Sequence, residues 1–329
     1  MQLVGYGDPP RFELREVPDP EPGPGEVVVA LRTAALNRRD PWIWTSPGYC
    51  ELPVTLGSDG AGTVVAIGEG VVSTRPGDEV VIFPTLGWPE GAEVPGPDFD
   101  ILGAPTPGTF ADRVLVPATS VAPRPSRLSW EESGALPLAG LTAWRALFTC
   151  GRVTEGSKVL VTGAGSGVST FLVQLAAQAG AEVFVTTGNP AKAARSLEIG
   201  ASAAFFYTEA DWPEEVTHRA GPLDVVVDSF GDGSLAAGLA LLRRGGVLVS
   251  FGDTGGASAS IEIAEVYWQW RSIVGTSMGS PAEFRALLAH TESASWRPIV
   301  DSVFALDELA GAAERLSSTA RFGKVVLTM

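Results

Sequence analysis

The sequence predicts an α/β protein of two domains, a small β-rich domain into which a doubly wound parallel sheet is inserted. Three observations predict it. Short apolar β runs separated by Gly and Pro clusters fill residues 1–122, strands alternate with helical stretches from Ser129 onward, and the residues from Trp296 return to the texture of the beginning. Strand alternating with helix implies parallel pairing, and a β-type ending implies that the chain comes back to its first domain. The expected domains are therefore 1–122 with 296–329, discontinuous, and 123–295, inserted.

In the first domain the strands are expected at Glu26–Leu31, Gly62–Ile67, Asp78–Phe83 and Arg113–Val116. Turn chemistry separates them at Pro20–Gly25, Gly68–Gly70, Arg75–Gly77 and Trp88–Gly91, a spacing that suits a compact barrel. The insert opens with a helical run from Trp130 to Thr149. Its strands follow at Val159–Val161, Glu182–Thr186, the stretch Ala204–Thr208, Leu223–Asp228, Gly246–Phe251 and Ser272–Gly275. The ending holds Asp301–Phe304, an amphipathic stretch Leu306–Leu316 and a closing strand Lys324–Leu327.

Composition excludes several classes of function. A formal net charge of −15 argues against nucleic acid, because Arg38-Arg39 and Arg243-Arg244 are pairs and not a basic field. The two cysteines, Cys50 and Cys150, form no C-x-x-C, so neither a disulfide framework nor a thiolate metal cage is expected. No opening segment reads as a signal peptide and no stretch reaches 18 apolar residues, which implies a cytoplasmic protein without membrane contact.

The stretch Lys158–Ala181 carries the most information, because it reads as strand, glycine-rich turn and helix. Gly163, Gly165 and Gly167 permit backbone angles and a close approach that a Cβ would forbid. Ser166 and Val168 complete the turn, and the helix beyond it offers free N–H groups to a diphosphate. A strict G-x-G-x-x-G from Gly163 fails at Val168, and the alternative register puts Ser169 in the last small place. A turn of purely structural use is the competing reading, and its position between strand and helix argues for a nucleotide. The turn also resembles that of short-chain dehydrogenases, which need a Tyr-x-x-x-Lys pair. Four places beyond Tyr6, Tyr49, Tyr207 and Tyr267 stand Pro10, Pro53, Asp211 and Arg271, so that family is set aside.

Several motifs in order resemble instead the medium-chain dehydrogenase/reductase superfamily: Pro24–Val29, Ala35–Asp40, Leu56–Val65, Arg75–Val81, Gly108–Ala111, Leu136–Trp144 and Gly323–Leu327. The resemblance covers the whole chain and is nearest to the quinone oxidoreductases. It implies a GroES-like β-barrel catalytic domain, a Rossmann domain, and a homodimer, or a tetramer, joined through the last strand of the parallel sheet. The aromatic run Tyr267–Trp270 is expected in the core or at that dimer surface. At the three positions where zinc members of the family carry ligands stand Asn37, Ser58 and Leu138, none a normal zinc ligand. No metal is therefore expected, and the surviving acids Asp40 and Asp59 read as hydrogen-bonding residues.

An NAD site usually ends its second strand with an acid, and Val183–Lys192 contains none. Thr187, Gly188 and Asn189 leave room and donors for a 2′-phosphate, with Lys192 as its charge, so NADPH is the expected cofactor. The nicotinamide half is expected to meet the loops at the carboxyl ends of the later strands, at Phe230, Gly231, Phe251 and Gly252, with Met278 nearby, and the resemblance adds Tyr207 to the 2′-phosphate site and Thr142 and Lys324 as further cofactor contacts. It also places Asn37, Arg39 and Asp40 on the substrate cleft, with Trp42 and Trp44 as aromatic walls. Asn37 is expected to donate to a carbonyl oxygen and Arg39 to stand where zinc relatives carry a proton-relay hydroxyl; Arg39 and Asp40 pairing with each other or the backbone is the plainer alternative. His218 and His290 are expected to be solvated. The implied activity is hydride transfer from NADPH to a quinone or an α,β-unsaturated carbonyl, the alternatives being an enoyl-thioester reductase and a non-catalytic NADPH-binding protein.

Overall fold

The computed structural model describes every residue from Met1 to Met329, which fall into two compact units: Met1–Leu141 with Gly279–Met329, and Thr142–Met278. The first unit is built on a seven-stranded sheet. Its order is Val300–Ala305, Lys324–Thr328, Glu26–Ala35, Asp59–Ile67, Glu79–Ile82 and Val121–Pro123, while Arg113–Pro117 also pairs with Glu26–Ala35. That central strand is shared along its length: Glu26–Ala30 faces Arg113–Pro117, and Thr33–Ala35 faces Val326–Thr328. Burial on both faces explains why its stretch Val27–Leu31 is a continuous apolar run, with Val27, Val28 and Val29 all in the core. As expected from its texture, the C-terminal strand belongs to this sheet.

The division between units falls later and earlier than the sequence implies, at 141/142 and 278/279 instead of 122/123 and 295/296. Packing decides it. The helix Trp130–Ala135, closed by a capping box between Ser129 and Glu132, takes a hydrogen bond from Thr33 Oγ1 to the Trp130 carbonyl. The helix Pro281–Ser293 stacks Phe284 on Phe83 at 5.2 Å, and its Thr291 carbonyl accepts from Arg127, which also bonds the Trp296 carbonyl. The expected helix 130–149 is also interrupted. It restarts at Pro137–Trp144, because proline removes a donor and favours a first turn, and ends as a π-helix over Arg145–Cys150.

The second unit is a six-stranded sheet in which every pairing is parallel. Its order is Ala203–Phe206, Glu182–Thr187, Lys158–Val161, Leu223–Asp228, Leu242–Ser250 and Ser272–Gly275. Counted within the unit this is 3-2-1-4-5-6, so the progression reverses between Lys158–Val161 and Leu223–Asp228. Ligands of such sheets bind beyond the carboxyl ends of the strands flanking that reversal. No helix of the chain is long and apolar enough to cross a membrane.

Candidate functional site

The second unit places the glycine-rich turn at the reversal point. Gly163 and Gly165 have φ of 70° and 92°, a region that side chains avoid, and the turn is anchored by Ala164 N donating to the Thr186 carbonyl at 2.8 Å. Ser166 then caps the helix Gly167–Gln178 by accepting from Ser169 N. Ser169 itself is buried, which is why the last glycine of the motif can be a small polar residue here. The N–H groups of Gly167 and Val168 have no protein acceptor and lie at the positive end of the helix dipole, a setting made for an anion.

At the end of the second strand the structure gathers Thr187, Gly188, Asn189, Lys192 and Tyr207. A Cβ on Gly188 would fall 2.8 Å from the Tyr207 hydroxyl, so glycine is what lets that half-exposed ring lie against the backbone. Asn189 differs from expectation. Its carboxamide oxygen caps the helix Pro190–Glu198, accepting from Ala191 N at 2.9 Å and Lys192 N at 3.4 Å, which leaves only Nδ2 as a donor. Beyond the fourth and fifth strands, Phe230, Gly231, Phe251 and Gly252 are also brought together, because Gly255 N bonds the Phe230 carbonyl and Thr254 N the Ser229 carbonyl. Thr142 and Met278 are buried at the two ends of this unit's chain segment, Met278 with φ of 56°.

The first unit carries a second constellation, where the strands Asp59–Ile67 and Lys324–Thr328 begin and Glu26–Ala35 ends. Lys324 is 3% exposed, and its ammonium donates to Asp59 Oδ2 at 2.7 Å, Asn37 Oδ1 at 2.6 Å and the Leu36 carbonyl at 2.8 Å. Its three donors are committed within its own unit, which corrects the expectation of a direct cofactor contact. Asn37 is committed too. Its Nδ2 donates to Asp59 Oδ2 at 2.8 Å and toward the Ala35 carbonyl at 3.4 Å, so no N–H remains for a substrate carbonyl. The other Asp59 oxygen accepts from Leu138 N at 2.6 Å, and the Asp59 carbonyl accepts from Thr109 Oγ1.

Arg39 takes the plainer of its two expected roles. Its guanidinium holds the 101–104 loop, donating to the carbonyls of Leu102 and Ala104 and to Ser58 Oγ. Asp40 is fully buried: Oδ2 accepts from Asn37 N at 2.7 Å, and Oδ1 has no partner. Burial pushes its pKa up to about 6 from 3.8, against the opposing pull of the Asn37 N–H, Arg39 and Lys324. The two tryptophans diverge. Trp42 is exposed and meets Tyr49 edge-to-face at 4.7 Å, whereas Trp44 is packed in the core against Phe12 and lines no cleft. His290 is half-buried and stacked on Trp296, not solvated.

The donor set at the family's zinc positions does not fit a zinc ion. Asn37 and Leu138 both bond Asp59, Ser58 Oγ donates to the Leu102 carbonyl at 2.6 Å, and no three His, Cys, Asp or Glu side chains converge anywhere in the chain. Sequence reasoning missed the Asp59–Lys324 pair and the Tyr49 ring beside Trp42. The pair had a signal, since Lys324 is one of three lysines and stands in an otherwise apolar strand.

A doubly wound sheet with a glycine-rich turn at its reversal point, in a chain that also carries a β unit closed by the strand Lys324–Thr328, is an architecture found among dinucleotide-dependent oxidoreductases. Two family models match: an alcohol dehydrogenase GroES-like domain over residues 23–126 and a zinc-binding dehydrogenase over residues 167–293. A zinc-type alcohol dehydrogenase-like protein of Schizosaccharomyces pombe is 34% identical, over 99% of this chain and 96% of its own length. The quinone oxidoreductase of Rattus norvegicus is 28% identical over 100% of this chain and 97% of its own. A crystal structure of an NAD-dependent alcohol dehydrogenase, 36% identical over 100% of both chains, superposes with a TM-score of 0.90. The chain belongs to the medium-chain dehydrogenase/reductase superfamily.

Two predictions come from the polar constellation. Lys324→Met and Asp59→Asn each leave a buried charge unpaired and are expected to lower the unfolding free energy by about 3–5 kcal/mol. Denaturant titration of K324M/D59N should show a loss well below the sum of the two, because the second change removes the charge that the first stranded. For Asp40 the folded chain holds the proton more tightly than the unfolded chain. The associated stability is therefore present below pH 4, drains away as pH rises from about 4 to about 6, and is constant above. Its size is about 3 kcal/mol, and Asp40→Asn should abolish that slope in unfolding curves measured across this range.

Proposed function

We propose that the chain is an NADPH-dependent, zinc-independent reductase of conjugated acceptors, a quinone or an α,β-unsaturated carbonyl. The observation that carries this reading is the end of the second strand. Where an acid would accept from a ribose hydroxyl stand Thr187, Gly188 and Asn189, with Lys192 and the Tyr207 ring alongside. A carboxylate there would repel a 2′-phosphate, and an ammonium attracts it.

When bound, NADPH supplies the hydride. The chain's own residues bind and orient. The N–H groups of Gly167 and Val168 hold the diphosphate, and Lys192 holds the 2′-phosphate. Trp42 and Tyr49 offer a flat acceptor an aromatic surface, and the Tyr49 hydroxyl is the phenol adjacent to it. Asn37, Asp59 and Lys324 keep the 36–40 segment fixed and touch no acceptor. A conjugated acceptor suits such a site, because it delocalises the arriving charge and needs no Lewis acid.

Stopped-flow oxidation of NADPH tests the reading against a panel of a quinone, an enone and an enoyl thioester. Oxidation by the quinone or enone is expected, oxidation by the thioester alone would reassign the substrate, and none at all would leave a nucleotide-binding protein without turnover. Lys192→Ala should weaken NADPH by about 10-fold or more, as expected for a charge-assisted bond, and leave NADH unchanged. An unaltered preference overturns the cofactor assignment.

The reading includes a homodimer. Tyr267, Trp268 and Trp270 are each about two-thirds exposed, next to the edge strand Ser272–Gly275, instead of lying in the core. At roughly 150–250 Å² per ring the three bring about 400 Å² of surface to one patch, near the limit for a monomer. The free edge can pair antiparallel with its own copy about a two-fold axis. Sedimentation should give twice the chain mass, and Trp268→Glu with Ile273→Pro should give one chain mass; a monomeric wild type discards the dimer.

A further inference from the structure

Thr162 and Asp228 stand at the carboxyl ends of the two strands that flank the reversal point, and both are buried. The Asp228 carboxylate is shared four ways without a cation. Oδ1 accepts from Thr162 Oγ1 at 2.7 Å and Ser234 Oγ at 2.6 Å; Oδ2 accepts from Gly231 N at 2.8 Å and Phe230 N at 3.2 Å. Thr162 immediately precedes the phosphate turn, and Gly231 and Ser234 open the helix Asp232–Leu241. One side chain thus clasps the start of the turn to the loop beyond the fourth strand.

A second observation lies on the far side of the clasp. Asp232 has φ of 42°, a conformation that a non-glycine residue keeps only where its surroundings impose it. The grip of Asp228 on Gly231 N and Ser234 Oγ, on either side of that residue, imposes it. The Phe251 N–H also bonds the Asp228 carbonyl, so the fifth strand's loop is tied to the same residue.

We infer that Asp228, acting through Thr162, is a positioning residue that fixes the spacing between the phosphate turn and the 229–231 loop, so that a dinucleotide is gripped at both ends. The inference rests on reading the Gly163–Val168 turn as the phosphate site. A fragment that occupies only the turn and the second strand does not sense this spacing, whereas the whole dinucleotide does.

The test compares NADPH with adenosine 2′,5′-bisphosphate, which lacks the nicotinamide half, by titration calorimetry on wild type and Thr162→Val. That change is close to isosteric and removes only the hydroxyl arm of the clasp. NADPH affinity should fall about 10-fold, the scale of one buried hydrogen bond, while fragment affinity changes less than about twofold. Equal losses for both ligands, or no loss for either, overturn the inference and leave the phosphate site standing. A wild type that binds neither ligand overturns the site and the inference together. Asp228→Asn gives the rescue: its oxygen serves the two backbone N–H groups and its amide faces hydroxyls able to accept. It should retain more NADPH affinity than Asp228→Ala at matched thermal stability, and identical losses overturn the assignment.

Discussion

The Asp59–Lys324 pair is the interaction on which the first unit turns. Both side chains are withdrawn from water, a transfer that costs several kcal/mol per ion unless every donor and acceptor is satisfied. Here they are satisfied by three stretches of chain: Asn37 and the Leu36 carbonyl after the central strand, Leu138 N at the start of a helix, and Lys324 itself from the last strand. Moving any one of them strands a charge, so their mutual placement is fixed far more tightly than apolar contact alone would fix it. That rigidity reaches Asp40 through the Asn37 backbone and the exposed Trp42 through the short helix that follows.

The second unit solves a comparable problem without opposite charge. At its reversal point a carboxylate is held by four hydrogen bonds from neutral groups, and glycines take the backbone angles that the turn Gly163–Gly167 requires. One unit is therefore organised by a buried cation and the other by converging neutral dipoles. That carboxylate brings no attraction for an anion, so any such attraction in this unit falls to the N–H groups of Gly167 and Val168 and to the ammonium of Lys192 at the next helix start.

Much of this was legible in the sequence, and the exceptions have physical causes. The glycine turn and the closing strand were readable because they rest on local chemistry, backbone angles and apolar runs. The role of Lys324 was not. An apolar strand announces that its lysine is buried but not that its acceptors lie 265 and 287 residues away. Trp42 and Trp44 looked equivalent as aromatic walls, yet residues two apart on a helix point to opposite sides, so only one can face solvent. Asn37 and Asn189 matched polar site positions, but the whole Asn37 amide is taken by Lys324, Asp59 and the Ala35 carbonyl, and the Asn189 oxygen is taken by a helix N-terminus. The unit boundary shifted because Arg127 and Phe284 join segments whose own sequences look like those of the insert.

The C-terminal strand has a consequence for biosynthesis. Residues 142–278 leave the ribosome with a full set of strands for their sheet, but the earlier residues lack Val300–Ala305 and Lys324–Thr328 until those later segments have emerged too. Asp59 meanwhile has no ammonium opposite it, and the half of the central strand that ends at Ala35 has an open edge. The usual order, in which the N-terminal portion of a chain folds first, is reversed. The later-made unit matures while the earlier one waits for Lys324, made after it.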